Sequence, residues 1–136
     1  MIFRAFLLLL APVMARADEL IAHIDISDQQ MTVLLDGVEL YRWPVSTARA
    51  GKRTPRGIFI PEFLKRMHYS TLYNDAPMPF SVFFAGNYAI HGTNDLAHLA
   101  TPVSAGCVRL DPLNAETLFN LILQEGLART LVVIED

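Results

Sequence analysis

One segment of this chain reads as a helix, and nearly everything before it reads as short strands punctuated by turns. Asp111 is suited to an N-cap, and Pro112 falls at the first helical position, where its fixed φ fits. Leu113, Leu118, Leu121 and Ile122 supply an apolar stripe, and Gly126 a stop. Upstream, Ile21, His23 and Asp25 alternate with Ala22, Ile24 and Ile26. Met31 to Leu35 is apolar and β-branched, Asp36-Gly37 fits a two-residue hairpin turn, and Val38 to Val45 returns as its partner. Gly57 to Ile60, Phe80 to Ala85 and Tyr88 to His91 read as further strands, the last two joined by the Gly86-Asn87 turn. Thr130 to Ile134 closes the chain as a strand. Many short strands with one late helix predict a mostly-β, single-domain sandwich or barrel with a C-terminal capping helix.

The first 17 residues stand apart from this pattern. Arg4 precedes a short apolar stretch from Phe6 to Met14, and Ala15-Arg16-Ala17 ends it as a small-x-small cleavage site. Residues 1–17 are therefore expected to be a signal peptide and residues 18–136 the exported, periplasmic domain. The apolar run is too short to span a bilayer, which takes about 20 residues. No cysteine follows the cleavage site, so no stable membrane anchor is expected. The chain carries a formal charge of −3 and no run of Lys or Arg, which argues against a nucleic-acid partner. Its 1 cysteine excludes an internal disulfide framework and a four-cysteine zinc site. In an oxidising compartment a lone thiol is a liability unless it is buried or has a task.

That cysteine lies in Ser104-Ala105-Gly106-Cys107-Val108-Arg109, downstream of Ile90-His91-Gly92. Gly106 adopts conformations that other residues resist, exposing backbone N–H groups next to the sulfur that are candidates to hold a developing oxyanion. A thiol becomes a nucleophile where a cation or base favours thiolate. His91 is the best base in the chain, and no Asp or Glu adjoins it, so a backbone carbonyl must orient its ring. An imidazolium there would lower the titration of Cys107 and keep it reactive at neutral pH. By chemistry alone a lone cysteine is more often a small buried hydrophobe than a nucleophile. The combination of exported chain, unpaired Cys, flanking Gly and Arg, and upstream His-Gly favours the nucleophile.

These residues resemble the YkuD-type L,D-transpeptidases of bacterial cell walls, over nearly the whole exported part. That family's pattern is a His-Gly pair followed by Ser/Thr-His-Gly-Cys-Ile/Val-Arg, matched here by His91-Gly92 and Ser104 to Arg109. Thr54-Pro55-Arg56-Gly57 and Pro44-Val45-Ser46-Thr47 resemble two further family segments. The resemblance implies an L,D-transpeptidase-like β-sandwich and a cysteine acyltransferase without cofactor. It implies Cys107 as nucleophile, His91 as general base and the Gly92 carbonyl as its orienter. The implied partner is a peptidoglycan tetrapeptide stem, attacked at its third residue with loss of D-alanine. The acyl group then passes to an amine: another stem, a free D-amino acid or a protein amine. One departure is Ala105, where the family usually has His. An L,D-carboxypeptidase and a catalytically weak peptidoglycan-binding module are the alternatives.

Arg109 is a candidate to grip a stem-peptide carboxylate by a bidentate contact, against an even alternative as a structural arginine. Ser104 and Gly106 are candidates for substrate contact beside it, although turn formation suits Ser104 better. His91, Asp95, His98 and Cys107 have spacings that match no common zinc pattern, so no metal is expected. Tyr69, Tyr73, Tyr88 and Met78-Pro79-Phe80 read as core before cleft, and Arg49, Lys52, Arg53 and Arg56 as a solvated loop. His23 and His68 receive no role.

Overall fold

From Leu20 to Val33 the alternation of the sequence becomes an alternation of burial. Leu20, Ala22 and Ile24 of β1 (Leu20–Asp25) point inward beside Met31 and Val33 of β2 (Gln30–Leu35). The structure, a computed structural model, describes residues 19–136. The signal peptide expected over residues 1–17 lies outside the described residues. Asp36 and Gly37 both take left-handed φ, 53° and 83°, and turn β2 into β3 (Val38–Pro44). Two left-handed residues match the twist of a hairpin, which is why Asp-Gly serves there.

The first sheet has the order β3-β2-β1-β9-β4. β9 (Thr130–Glu135) runs parallel to β1, and β4 (Gly57–Phe59) pairs with it antiparallel. The second sheet is β5 (Phe63–Ser70), β6 (Ala76–Ala85), β7 (Tyr88–Gly92) and β8 (Val108–Leu110), in that order. Val82, Phe84, Ile90, Val108 and Leu110 of the second sheet share one core with the inward residues of the first. The helix α1 (Pro112–Glu125) lies against β6 and β7 and adds Ala115, Leu118 and Ile122 to that core. The Asp111 carboxylate accepts from the Leu113 N–H at 2.9 Å, and Gly126 ends the helix with φ 99°.

The structure departs from the sequence expectation in three places. Leu113 is not in the buried stripe but 72% exposed, and Phe119 is buried instead. β5 and the first half of β6 were not expected as strands. β5 is an edge strand with little alternation, and β6 contains Pro77 and Pro79. Those prolines are tolerated because β7 pairs only with the stretch from Val82 onward, leaving that edge of β6 without a ladder. β8, finally, is a strand of three residues inside what reads as the end of a loop.

Candidate active site

β7 and β8 run parallel with Ile90 opposite Val108, His91 opposite Arg109 and Gly92 opposite Leu110. Residues in register share a face, and successive residues alternate faces. Ile90, Val108 and Leu110 therefore enter the core. Ala89, His91, Cys107 and Arg109 take the other face, and the last three line one cavity of about 720 Å³. The catalytic pair expected from sequence, 16 positions apart, is brought together by one parallel strand pairing.

His91 is buried, and its Nδ1 donates to the Gly92 carbonyl at 2.7 Å. A carbonyl can only accept, so the ring proton is on Nδ1 and Nε2 is bare. Gly92 has no room for a side chain: a Cβ there would stand 2.9 Å from Pro112 Cα and 3.1 Å from Pro79 Cγ. The helix start thus packs directly on the residue that orients the imidazole. Burial, above all, pushes the His91 imidazole down to about 4, and the Arg109 charge adds to this, against the Gly92 hydrogen bond.

Cys107 packs with Met78, Phe83 and Ala89. Its sulfur receives the Ala89 N–H at 3.4 Å and lies 3.8 Å from the Asn87 carbonyl, to which the thiol donates. Burial pushes this thiol up, while the Ala89 N–H and the Arg109 charge act the other way. Burial therefore opposes the imidazolium–thiolate pair expected from sequence. Removal of water by the cavity wall disfavours the charged form of each, and so favours a neutral imidazole beside a neutral thiol.

The loop bearing the cysteine is braced from below. The Ser104 hydroxyl accepts from the Gly106 N–H at 3.0 Å and donates to the Cys107 carbonyl at 2.7 Å. The Thr54 hydroxyl accepts from the Ala48 N–H at 3.0 Å and donates to the Gly106 carbonyl at 2.8 Å. Ser46 exchanges both backbone hydrogen bonds with Arg109, at 3.0 and 2.9 Å. Gly106 has φ 141°, and a Cβ there would stand 2.6 Å from the Tyr88 ring and 2.9 Å from the Arg53 carbonyl. The N–H of Gly106 itself is engaged by the Ser104 hydroxyl. The Ser104 hydroxyl is engaged within its own loop and holds the cysteine in place, the turn role that suits it better, while the residue also lines the cavity. The Ser46-Thr47 and Thr54 segments, noted from sequence without a physical reason, are the braces.

Arg109 is half-buried beside the thiol. Arg49, expected in a solvated loop, reaches the Ser104 carbonyl at 3.3 Å and lines the cavity, whereas Arg56 pairs with Asp136 at 2.7 Å. Tyr73, Tyr88 and Met78 line the cavity, while Phe80 turns to the Phe119 ring. Sequence reasoning missed His68, which lines the same cavity from β5. Its isolation in an exposed, unpatterned strand offered no signal. Asp95 is engaged by His98 at 2.8 Å, and among the described residues no group of three or more His, Cys, Asp or Glu is placed to hold a metal ion.

Residues 19–134 match the sequence profile of the L,D-transpeptidase catalytic domain. Among solved structures, the chain superimposes on an L,D-transpeptidase from Mycobacterium smegmatis with a TM-score of 0.79 at 20% identity, covering 87% of this chain and 59% of that one. It matches residues 123-326 of an L,D-transpeptidase from Xylanimonas cellulosilytica with a TM-score of 0.74 at 25% identity, over 88% of this chain and 61% of that one. It matches L,D-transpeptidase 3 from Mycobacterium tuberculosis, in complex with a faropenem-derived adduct, with a TM-score of 0.71 at 20% identity, over 86% and 60%. The chain thus spans about three fifths of the length of these structures. No curated protein matches it.

Proposed function

Because this chain belongs to the L,D-transpeptidase catalytic domain family, we infer that it is a cysteine acyltransferase acting on peptidoglycan stem peptides. The observation that carries this reading is the pairing of β7 with β8, which sets a bare imidazole nitrogen and a thiol on one face of one cavity. Substrate seated in that cavity displaces the weak thiol hydrogen bond to Asn87. Nε2 of His91 then takes the thiol proton as the sulfur attacks the carbonyl of the third stem residue. The carbon–nitrogen bond to the terminal D-alanine breaks, and His91 returns the proton to the departing amine. An acceptor amine next loses its proton to His91, attacks the thioester and frees the sulfur. With burial favouring the neutral form of both groups, proton transfer accompanies attack instead of preceding it. Arg109 supplies positive charge beside the reacting sulfur and is placed to meet a substrate carboxylate. Ser104, Thr54 and Ser46 position the nucleophile.

The features of residues 1–17 support export to the periplasm, where such stems occur. A protein amine as final acceptor fits the same chemistry. The test is incubation of the protein lacking residues 1–17 with a disaccharide-tetrapeptide, followed by mass spectrometry of protein and products. A Cys107 acyl adduct with cross-linked stems is the expected result. Tripeptide alone makes water the acceptor and the enzyme a carboxypeptidase. Absence of both adduct and product leaves a binding module. Faropenem, which left an adduct in the structure of the Mycobacterium tuberculosis protein, is expected to acylate Cys107 as well.

A further inference from the structure

A second imidazole reaches the catalytic cavity from the sheet edge. His68 lies on β5, two strands from His91 on β7, yet both line the same space. Its ring stands edge-on to Phe83, with centroids 5.1 Å apart and planes at 85°. Phe83 in turn packs with Met78, Ala89 and Cys107. The left-handed backbone of Phe80, φ 53°, makes this possible. Met78 and Phe83 are an odd number of positions apart and would face opposite ways on a regular strand. The twist at Phe80 puts both on the cavity side and carries His68, paired with Met78, along with them. His68 is close enough to be felt electrostatically at the His91 ring.

A neighbouring ammonium decides what this ring offers. Lys65 Nζ stands 3.4 Å from His68 Nδ1. An ammonium has protons to give and no lone pair, so Nδ1 accepts and the ring proton sits on Nε2. His91 has the reverse arrangement, with its proton on Nδ1 and its Nε2 bare. One imidazole of the cavity is a base and the other is a donor. The remaining polar wall says what a donor would meet. Arg49 and Arg109 line the cavity, and neither has a carboxylate partner among the described residues. Two guanidinium groups without a carboxylate partner in the wall of the cavity are the chemistry that receives a carboxylate, while Asp95, which also lines it, is held by His98.

We propose that His68 is a substrate-binding residue whose Nε2–H donates to a carboxylate of an anionic peptide held across the cavity beside Arg49 and Arg109. The proposal rests on the stem-peptide reading of this site for the identity of that peptide. A stem ending in D-alanine offers the terminal carboxylate, and a diaminopimelate at its third residue offers a side-chain one. The experiment therefore uses the tetrapeptide stem and two amidated forms, one at each carboxylate. Binding is titrated calorimetrically on the Cys107→Ala protein, where no turnover intervenes, with His68 intact, His68→Ala and His68→Gln.

For the free acid, His68→Ala is expected to weaken binding about tenfold, the scale of one hydrogen bond to a charged group. His68→Gln keeps an N–H donor on a polar side chain and is expected to recover most of the loss. Amidation of the carboxylate that His68 meets abolishes the difference between parent and His68→Ala, and the amide that does so identifies the source. Equal binding of the free acid by parent and His68→Ala overturns the proposal. An equal weakening for all three peptides also overturns it, since that is a scaffold effect. Should His68-dependent binding be found while the native cysteine forms no acyl-enzyme, the catalytic reading fails and this one stands.

Discussion

At Cys107 and His91 the structure separates two ways of making a thiol reactive. A preformed thiolate–imidazolium pair needs water or charge to support it, and burial here opposes both ions. The alkylation rate of Cys107 with iodoacetamide is therefore expected to rise with pH above the ordinary thiol range, about 8.5, with no plateau near pH 6. His91→Ala should leave that profile in place while lowering acyl transfer from the stem peptide by about 10²–10⁴-fold, the usual contribution of a general base. A low-pH alkylation plateau that His91→Ala removes would restore the ion pair. Cys107→Ala and Cys107→Ser are expected to abolish acyl transfer with the thermal unfolding midpoint shifted by no more than a few degrees. The reason is that the sulfur makes weak hydrogen bonds and an alcohol lacks the acidity that this site requires. Turnover at the native rate in either variant would remove Cys107 from the mechanism.

Strands and loops decide how rigidly those atoms are held, and one hydroxyl concentrates much of that rigidity. Thr54 is buried and joins the Ala48 N–H to the Gly106 carbonyl, so it ties the loop before β4 to the loop before β8. Thr54→Val keeps the shape and leaves both partners without a hydrogen bond. The expected loss of stability is about 1–3 kcal/mol, read from urea unfolding, with a fall in acyl transfer as the loop loosens. Thr54→Ser, which keeps the hydroxyl, should stay near the parent in both, and an unaffected Thr54→Val would make the brace incidental. The loop also shows what could be read beforehand. β1, β2 and the helix announce themselves through alternation, a turn pair and a cap, because each has one dry face and local chemistry at its ends, and β7, buried on both faces, through a short apolar run after a turn. β5 has neither, since an edge strand over a cavity keeps both faces partly wet. The His91-Gly92 and Cys107 pair was legible because Gly92 and Gly106 mark close backbone approaches and the cysteine has no sibling. The engagement of the Gly106 N–H was not, because whether an N–H faces a cavity or a neighbouring hydroxyl depends on strands far away in sequence. His68 was hidden by the same logic: the turn of the pleat at Phe80 is an aromatic residue in a glycine-like conformation, which no residue pattern signals.

Across the whole molecule, His91 and Cys107 each add a pH dependence to the stability of the fold. In the unfolded chain the His91 imidazole titrates near about 6.5, and in the folded chain near about 4. Between those values the unfolded state binds a proton that the folded state refuses, so stability falls as the pH falls through that window. Above about 6.5 both states are neutral at this ring and its contribution is fully present. At about 1.4 kcal/mol per pKa unit, the loss by pH 4 is on the order of 3 kcal/mol. Cys107 acts in the other direction. Its folded thiol is raised, so the unfolded chain gives up its proton first as the pH climbs past about 8.5, and stability falls again. The fold is expected to show a plateau between about pH 6.5 and 8.5 with a decline on each side. Urea midpoints measured from pH 4 to 10 check this, with two variants to assign the slopes. His91→Asn, uncharged throughout, should flatten the fall between pH 6.5 and 4 by the His91 share, and Cys107→Ala the alkaline one. Acid and alkaline slopes that survive both substitutions unchanged would place the titrating groups elsewhere and leave the dyad solvated, in which case the neutral resting state argued for it would not hold.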